Sequence, residues 1–101
     1  MYQRFVCFKF KDNTSDGIIQ QHLDMFAALK ASIPQIASYA GGGTFTGGEG
    51  DRKFDTAHYV TYKTREDINI YVHHVAHQEF INANKNHWED VLVVDSKITS
   101  G

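Results

Sequence analysis

Residues 2–11 read YQRFVCFKFK, and this run decides how the chain can fold. Apolar and polar side chains alternate along it, which is the period-two pattern of a β-strand. Phe5 and Cys7 interrupt the alternation and make the second face of the strand partly apolar as well. A strand that is apolar on both faces needs cover on both faces. We expect a layer of helices on one side and a second copy of the chain on the other.

The rest of the chain predicts two helical regions and three more strands. The first helix is predicted over about residues 15–32, ahead of Pro34, and the second region runs from a capping sequence at residues 64–67 to about Asn84. The remaining strands are predicted at residues 36–46, 54–63 and 91–94. This order predicts an α+β fold, a ferredoxin-like βαββαβ domain whose four-stranded antiparallel sheet carries the helices on one face.

Length and composition limit the function classes. At 101 residues, with 42% hydrophobic residues, the chain is expected to be a single globular domain spanning residues 1–101. A net charge of −2 without a basic stripe argues against a nucleic-acid partner, and no apolar run predicts a membrane span. Cys7 is the only cysteine and no signal peptide is predicted, so a reduced, cytoplasmic protein is expected.

Two glycine runs interrupt the middle of the chain. The first, Gly41–Gly43, falls inside a predicted strand, where glycine indicates a bulge or a close approach of the backbone. The second belongs to residues 47–53, which predict a flexible loop. The Gly-Lys-Ser/Thr signature of a phosphate-binding loop does not follow these glycines, so no nucleotide site is inferred.

The histidines are the strongest functional signal. In a helix, Tyr71, His74 and His77 are each three positions apart and can share one face. Phenol and imidazole groups can donate and accept hydrogen bonds, and imidazole titrates near neutral pH, so these side chains would suit the wall of a pocket. The alternative is a surface helix with solvated histidines, His73 among them. His22 lies within the apolar stripe of the first helix. It is expected either to bond a backbone carbonyl at the edge of the core or to line a pocket.

Four segments together resemble the stress-responsive dimeric α/β-barrel (Dabb) family. They are FKFKD at residues 8–12, IP at 33–34, YVHHVAH at 71–77 and WEDVLVVD at 88–95, in the family's order and spacing. Within the family, the sequence resembles olivetolic acid cyclase-like proteins. The resemblance implies a homodimer, able to assemble further, whose sheets pack face to face into an α/β barrel. It also implies a pocket between the sheet and the helices of each subunit.

The resemblance also implies site residues. The cyclases use the tyrosine and the second histidine of a Tyr-x-x-His-Pro-Ala-His motif, which assigns the catalytic roles to Tyr71 and His77. Val75 replaces the motif's proline, which predicts a softened helix break and a re-aimed His74. Arg4 stands where the cyclases have a histidine, so the chemistry is expected to differ from theirs. The other residues expected around the pocket are Arg4, Val6, Phe8, His22, Phe26, His58, His74, Phe80 and Trp88.

Two classes of function follow. As an enzyme, the protein would use His77 to remove a proton next to a carbonyl while Tyr71 donates to the oxygen that gains charge. Such a site could support cyclisation, isomerisation or a lyase reaction on a polyketide-like or aromatic substrate, and no cofactor is expected. Alternatively, the protein is a non-catalytic stress-responsive or small-ligand-binding dimer. A metal site from His22, His58 and His77, or from the pair His73 and His77, is disfavoured because no carboxylate or cysteine adds a ligand.

Overall fold

The structure, a computed structural model, describes residues 1–45 and 54–99. The predicted flexible loop at residues 47–53 lies outside the described residues. The elements, in chain order, are strand β1 (Tyr2–Phe10), helix α1 (Asp16–Ser32), strands β2 (Ser38–Gly43) and β3 (Thr56–Tyr62), helices α2 (Arg65–His73) and α3 (Val75–Asn84), a 3₁₀ turn (Lys85–His87) and strand β4 (Trp88–Lys97).

The four strands form one sheet in the order β2-β3-β1-β4, and every neighbouring pair is antiparallel. The predicted ferredoxin-like arrangement is therefore confirmed. β1 lies between β3 and β4, with Val6 opposite His58 on one side and Val93 on the other. Successive side chains of β1 point to opposite faces of the sheet, so one apolar set of residues 2–11 meets the helices and the other lies on the opposite face.

The core lies between the sheet and the helices. Side chains at alternate positions of β1 and β3 point to this face, since residues paired across antiparallel strands share a face. They pack against α1 and α3, and burying one such apolar side chain contributes about 1.5–3 kcal/mol. The buried members of this core include Val6, Phe8, Phe10, Phe26, Leu29, Ile33, Val60, Tyr62, Tyr71 and Phe80.

Within residues 1–45 and 54–99, no helix covers the opposite face of the sheet. Phe5 pairs with Tyr59 on β3 and with Val94 on β4, so these three side chains share this face. Tyr59 is 48% exposed, Val94 is 47% exposed and Leu92 is 40% exposed. Large apolar side chains are thus left in contact with water on the face for which the sequence predicts a second cover.

Side-chain caps fix the starts of α1 and α2. The Ser15 hydroxyl accepts the Ile18 N–H at 3.2 Å and begins α1, and the Thr64 hydroxyl accepts the Asp67 N–H at 3.1 Å and begins α2. Both caps lie within the predicted start signals. Among residues 1–45 and 54–99, no helix has the length and apolar character needed to span a membrane.

β4 is longer than predicted. The apolar run at residues 91–94 marks only its middle, because the flanking acidic residues hide the strand pattern in the sequence. The structure extends the strand from Trp88 to Lys97, paired with β1 over nearly its whole length. As an edge strand with exposed side chains, β4 tolerates polar residues that a central strand would exclude.

Candidate active site

The site begins with a break in the second helical region. α2 ends at His73, and α3 begins at Val75. Between them, His74 has an extended backbone (φ −65°, ψ 140°). Its Nδ1 accepts the Ala76 N–H at 3.0 Å and caps α3. The prediction that Val75 would soften this break is wrong, because the His74 side chain holds the break without a proline.

The break frees a backbone carbonyl for the site. In a continuous helix the Ala76 N–H would bond to the Val72 carbonyl four residues earlier, but it donates to His74 instead. The Val72 carbonyl instead accepts from His77 Nδ1 at 3.0 Å and from the Gln78 side-chain amide at 2.8 Å. A helix end therefore supplies an acceptor that orients the His77 imidazole.

This bond fixes the tautomer of His77. A carbonyl oxygen can only accept, so Nδ1 carries the proton and Nε2 of the neutral ring carries the lone pair. Burial lowers the pKa of His77, the bond to the Val72 carbonyl raises it and the nearby charge of Arg4 lowers it, with burial the largest effect. The imidazole is consequently neutral at pH 7 and able to accept a proton at Nε2.

Tyr71 lies against this imidazole. The two ring centroids are 4.4 Å apart, and Tyr71 is buried at the end of α2 with its ring also packed on Tyr62. Burial raises the pKa of the Tyr71 phenol far above its usual value, although the charge of Arg4 acts in the opposite direction. The phenol therefore stays protonated at neutral pH and keeps a proton to donate.

The two side chains line one cavity between the sheet and the helices. Its volume is about 140 Å³, comparable to the roughly 150 Å³ apolar cavity that accepts a benzene ring. The predicted pocket residues that line it are Arg4, Val6, Phe8, Phe26, Tyr71, His77, Phe80 and Trp88. Ile81, Val91 and Val93 also line the cavity and were missed by the sequence analysis. The two valines could have been found by register, since they pair with Phe8 and Val6 on β1.

Arg4 lies at one side of this cavity in a fixed orientation. Its Nε and a terminal guanidinium nitrogen donate to the two carboxylate oxygens of Asp95 at 2.8 and 3.0 Å. The residues are directly opposite each other on β1 and β4, so the strand register brings them together. The hydrogen bonds to Asp95 raise the pKa of Arg4 against the effect of burial. A bidentate pair of this kind holds the guanidinium in place.

His22 and His58 do not line the cavity with His77. They form a separate buried pair whose Nε2 atoms are 3.1 Å apart. The Tyr39 hydroxyl is 2.7 Å from His58 Nδ1, the Thr56 hydroxyl contacts His58 Nε2 at 3.1 Å, and Phe26 stacks on the His58 ring. Burial lowers the pKa of His22 to about 4 and, together with the charge of His22, lowers that of His58 to about 3. Both are neutral parts of the core at pH 7.

Gly41, on the edge strand β2, leaves room for the Tyr39 hydroxyl and the His58 imidazole. A Cβ at Gly41 would overlap the Tyr39 hydroxyl and lie 2.9 Å from His58 Nδ1. The predicted close approach at the glycine run is confirmed at this residue. The predicted bulge is not found, because β2 pairs with β3 in continuous register.

Metal ligands do not converge in the part of the chain that the structure describes. Within that part, no three histidine, cysteine, aspartate or glutamate side chains lie close enough together to hold an ion. His73 is exposed, and its Nδ1 donates to the Asn69 carbonyl at 2.9 Å. His74 is used as a helix cap and does not line the cavity.

Together, the fold and the cavity define a ferredoxin-like α/β domain with a pocket beneath its helices. Residues 3–98 match the family described as the stress-responsive A/B barrel domain, Dabb. The chain belongs to this family. A search among curated proteins finds no match.

Solved structures agree with this assignment. A protein of Arabidopsis thaliana is 24% identical, with a TM-score of 0.88 and coverage of 100% of this chain and 98% of that one. The hydroxynitrile lyase of Passiflora edulis is 19% identical, with a TM-score of 0.87 and coverage of 99% and 94%. A dimeric ferredoxin-like protein of Thermobifida fusca is 18% identical, with a TM-score of 0.83 and coverage of 96% and 90%. At these identities the likeness shows the fold.

Proposed function

We propose that this protein is an acid–base enzyme of the cyclase, isomerase or lyase type. Its substrate is a small aromatic or polyketide-like carbonyl compound, with His77 as general base and Tyr71 as donor to the oxygen that gains charge. One observation carries the proposal. His77 gives its Nδ1 proton to the Val72 carbonyl and keeps a basic Nε2 in the wall of an apolar cavity, beside a buried phenol.

The reaction begins with proton transfer from carbon. Nε2 of His77 takes a proton from the carbon next to the carbonyl, and the electron pair of that C–H bond moves into an enolate. The enolate oxygen gains negative charge and accepts a hydrogen bond from the Tyr71 hydroxyl. In an isomerisation the proton on His77 then returns to another carbon. In a cyclisation the enolate carbon first attacks a second carbonyl of the substrate, which forms a C–C bond and an alkoxide, and the alkoxide takes the proton from His77. General acid–base catalysis of this kind contributes roughly 10²–10⁴-fold in rate.

The surroundings favour this chemistry. Aromatic walls, with Phe8, Phe80 and Trp88 among them, lower the local dielectric, which strengthens a hydrogen bond to a developing negative charge. The Arg4 guanidinium adds a positive charge near Tyr71 and His77. Because Asp95 holds Arg4 in place, this charge need not reorganise during the reaction.

The comparisons support the enzyme class. A hydroxynitrile lyase is among the proteins with this fold, and another structural neighbour is described as an antibiotic biosynthesis monooxygenase. The resemblance of residues 71–77 to the motif of olivetolic acid cyclase-like proteins supports the same two catalytic positions. Among the other predicted site residues, we propose that Val6, Phe8, Phe26, Phe80 and Trp88 contact the apolar part of the substrate.

Proton exchange tests the proposal without knowledge of the natural substrate. Aryl ketones incubated in D₂O with the protein should exchange their α-protons faster than without it, measured by ¹H NMR. His77→Ala should remove this acceleration, and Tyr71→Phe should reduce it by roughly 10²-fold, the range for one lost oxyanion donor. His73→Ala is the matched control, since His73 makes the same type of bond to a helix carbonyl outside the cavity. Full exchange by His77→Ala would contradict the proposal.

A second candidate is a non-catalytic stress-responsive or small-ligand-binding dimer. The size of the cavity favours it, because about 140 Å³ is below the roughly 300–1,000 Å³ of most small-molecule sites and suits a single aromatic ring better than a polyketide-like substrate. This candidate predicts that small aromatic ligands raise the melting temperature while no ketone in the panel exchanges its α-protons. The same set of ligands and the same samples therefore separate the two functions.

We also propose that the protein forms a homodimer through the free face of its sheet. Tyr59, Leu92 and Val94 leave large apolar area exposed there, and several structural neighbours are described as dimeric. Face-to-face packing of two sheets would cover these side chains and build the α/β barrel. Cys7 is buried and unpaired, and we propose a reducing, cytoplasmic location for the single domain formed by residues 1–101.

A further inference from the structure

A larger groove adjoins the cavity at Arg4. It has a volume of about 650 Å³ and lies between α2 and the outer ends of β1 and β4. Arg4 lines both spaces, so the groove lies directly beside the cavity. The charged and hydrogen-bonding residues of the groove are Tyr2, Arg4, Arg65, Asn69, Asp95, Ser96 and Lys97.

The groove is positively charged on a protein whose net charge is −2. Three cations line it, against the single carboxylate of Asp95, and that carboxylate is already held by Arg4 in two hydrogen bonds. Within residues 1–45 and 54–99, neither Arg65 nor Lys97 has a carboxylate at ion-pair distance. Two unpaired cations from separate elements, one from α2 and one from β4, therefore face a common space.

The cavity and the groove would each hold a different part of one ligand. A cavity of about 140 Å³ holds little more than one aromatic ring or a short alkyl chain. If the reacting carbonyl lies beside Tyr71 and His77, everything beyond a small apolar end must extend into the groove. The groove is polar as well as larger, and its free cations select for negative charge.

We propose that the groove binds the anionic end of the substrate, with Arg65 and Lys97 as the residues that recognise it. The substrate class is a carbonyl compound with a small aromatic or apolar end and a carboxylate or phosphate group at the other end. The proposal rests on the proposed function for the position of the carbonyl. Tyr2 and Asn69 supply further donors to the anion from the walls of the groove.

Calorimetric titration with three matched probes tests this site. The probes are 4-oxo-4-phenylbutyrate, its neutral primary amide and 3-oxo-3-phenylpropylphosphonate. At low salt, the more tightly bound of the two anionic probes should bind roughly tenfold more tightly than the amide. This preference should fall at 0.5 M salt, because the Debye length there is only about 4 Å and exposed charges are screened beyond that distance. Whether the carboxylate or the phosphonate binds better identifies the anion.

Charge-removing variants complete the test. Arg65→Gln and Lys97→Gln should each weaken anion binding by roughly twofold to fivefold, and the double variant should bind anion and amide alike. Lys30→Gln is the control, because Lys30 lies in the last turn of α1, away from the groove. Equal binding of anion and amide to the unaltered protein, no binding of either anion at millimolar concentration, or a preference that survives in the double variant would overturn the proposal.

The α-proton exchange assay separates this inference from the proposed function. Exchange of the ketone α-protons without an anion preference would leave the enzyme proposal standing and remove the anion site. A charge preference that depends on Arg65 and Lys97, without any α-proton exchange, would support the anion site and remove the catalytic roles of His77 and Tyr71.

Discussion

His77 donates its Nδ1 proton to the backbone carbonyl of Val72, five residues earlier, across 3.0 Å. A regular helix would not leave this carbonyl available, because the Ala76 N–H would occupy it. The imidazole of His74 takes that N–H instead. One histidine therefore breaks the helix, and the break gives the other histidine its tautomer.

Replacing His74 should disturb His77 without touching the cavity. His74→Ala removes the cap of α3, which should lower the free energy of unfolding by about 0.5–2 kcal/mol. It also frees the Ala76 N–H to compete for the Val72 carbonyl, so His77 should lose its single tautomer. Long-range ¹H–¹⁵N NMR of the imidazole measures the tautomer directly. A His77 ring that keeps Nδ1 fully protonated in the variant would show that the break does not orient it.

Restoring proline at the break should stabilise the protein. Val75 is the first residue of α3, where the N–H has no helical partner and proline is favoured. The preceding residue, His74, already has the extended conformation that proline requires. Val75→Pro should therefore raise the free energy of unfolding by about 0.4–1 kcal/mol, measured by urea denaturation. Val75→Ala is the control for loss of the valine side chain, and destabilisation by proline beyond this control would contradict the prediction.

The buried histidine pair should make the fold sensitive to acid. His22 and His58 stay neutral in the folded state, with pKa values of about 4 and about 3, but take up protons near pH 6.5 when unfolded. The unfolded state thus binds more protons, so stability is complete above pH 6.5 and falls as the pH drops toward 4. Between pH 7 and pH 5 the loss should be about 2 kcal/mol for each histidine.

Urea denaturation at several pH values measures this loss. His22→Leu removes one titrating group and should reduce the loss between pH 7 and pH 5 by about half, whatever its effect on stability at pH 7. An unaltered protein with equal stability at pH 7 and pH 5 would be inconsistent with a buried, neutral pair.

The titration of His77 should report the charge of Arg4. Burial and Arg4 both lower the pKa of His77, so its ring should titrate below the usual value of about 6.5, followed by its Cε1 proton in NMR. Arg4→Gln removes the positive charge and exposes His77 to the carboxylate of Asp95, so the pKa should rise. In the enzyme proposal, activity falls as the pH drops through this pKa, and the acid limb should move to higher pH in the variant. Arg4→Gln combined with Asp95→Asn separates the two charges.

Structural features that follow a periodic pattern in the sequence could be predicted, whereas features that depend on one side chain could not. The two apolar faces of strand β1 predict cover on both sides of the sheet, and the capping residues Ser15 and Thr64 mark the starts of α1 and α2. The break at His74 has no periodic signature, because it depends on a single side chain that accepts a backbone N–H. Periodicity therefore finds the layers of the fold but misses the contact that orients His77.

The histidines show the same limit of prediction from sequence patterns. The family resemblance places Val6 and His58 around the pocket, and both are buried on the face of the sheet that carries the helices. Pattern alone does not tell which inward side chains meet each other and which meet a cavity. His22 and His58 pair with each other, whereas His77 remains beside Tyr71, and that division depends on where the helices cross the sheet.

The free face of the sheet should hold two copies of the chain together. Val94 is 47% exposed on this face and pairs with Phe5 on the adjacent strand. Val94→Asp would place a charge in an apolar interface, where its desolvation costs several kcal/mol and like charges face each other across the symmetry axis. Sedimentation equilibrium should show a dimer for the unaltered protein and a monomer for the variant. Ile70→Asp introduces the same charge at an apolar position of similar exposure on α2, and it should remain dimeric. A dimer that survives Val94→Asp but not Ile70→Asp would place the interface on the helices, which would remove the barrel.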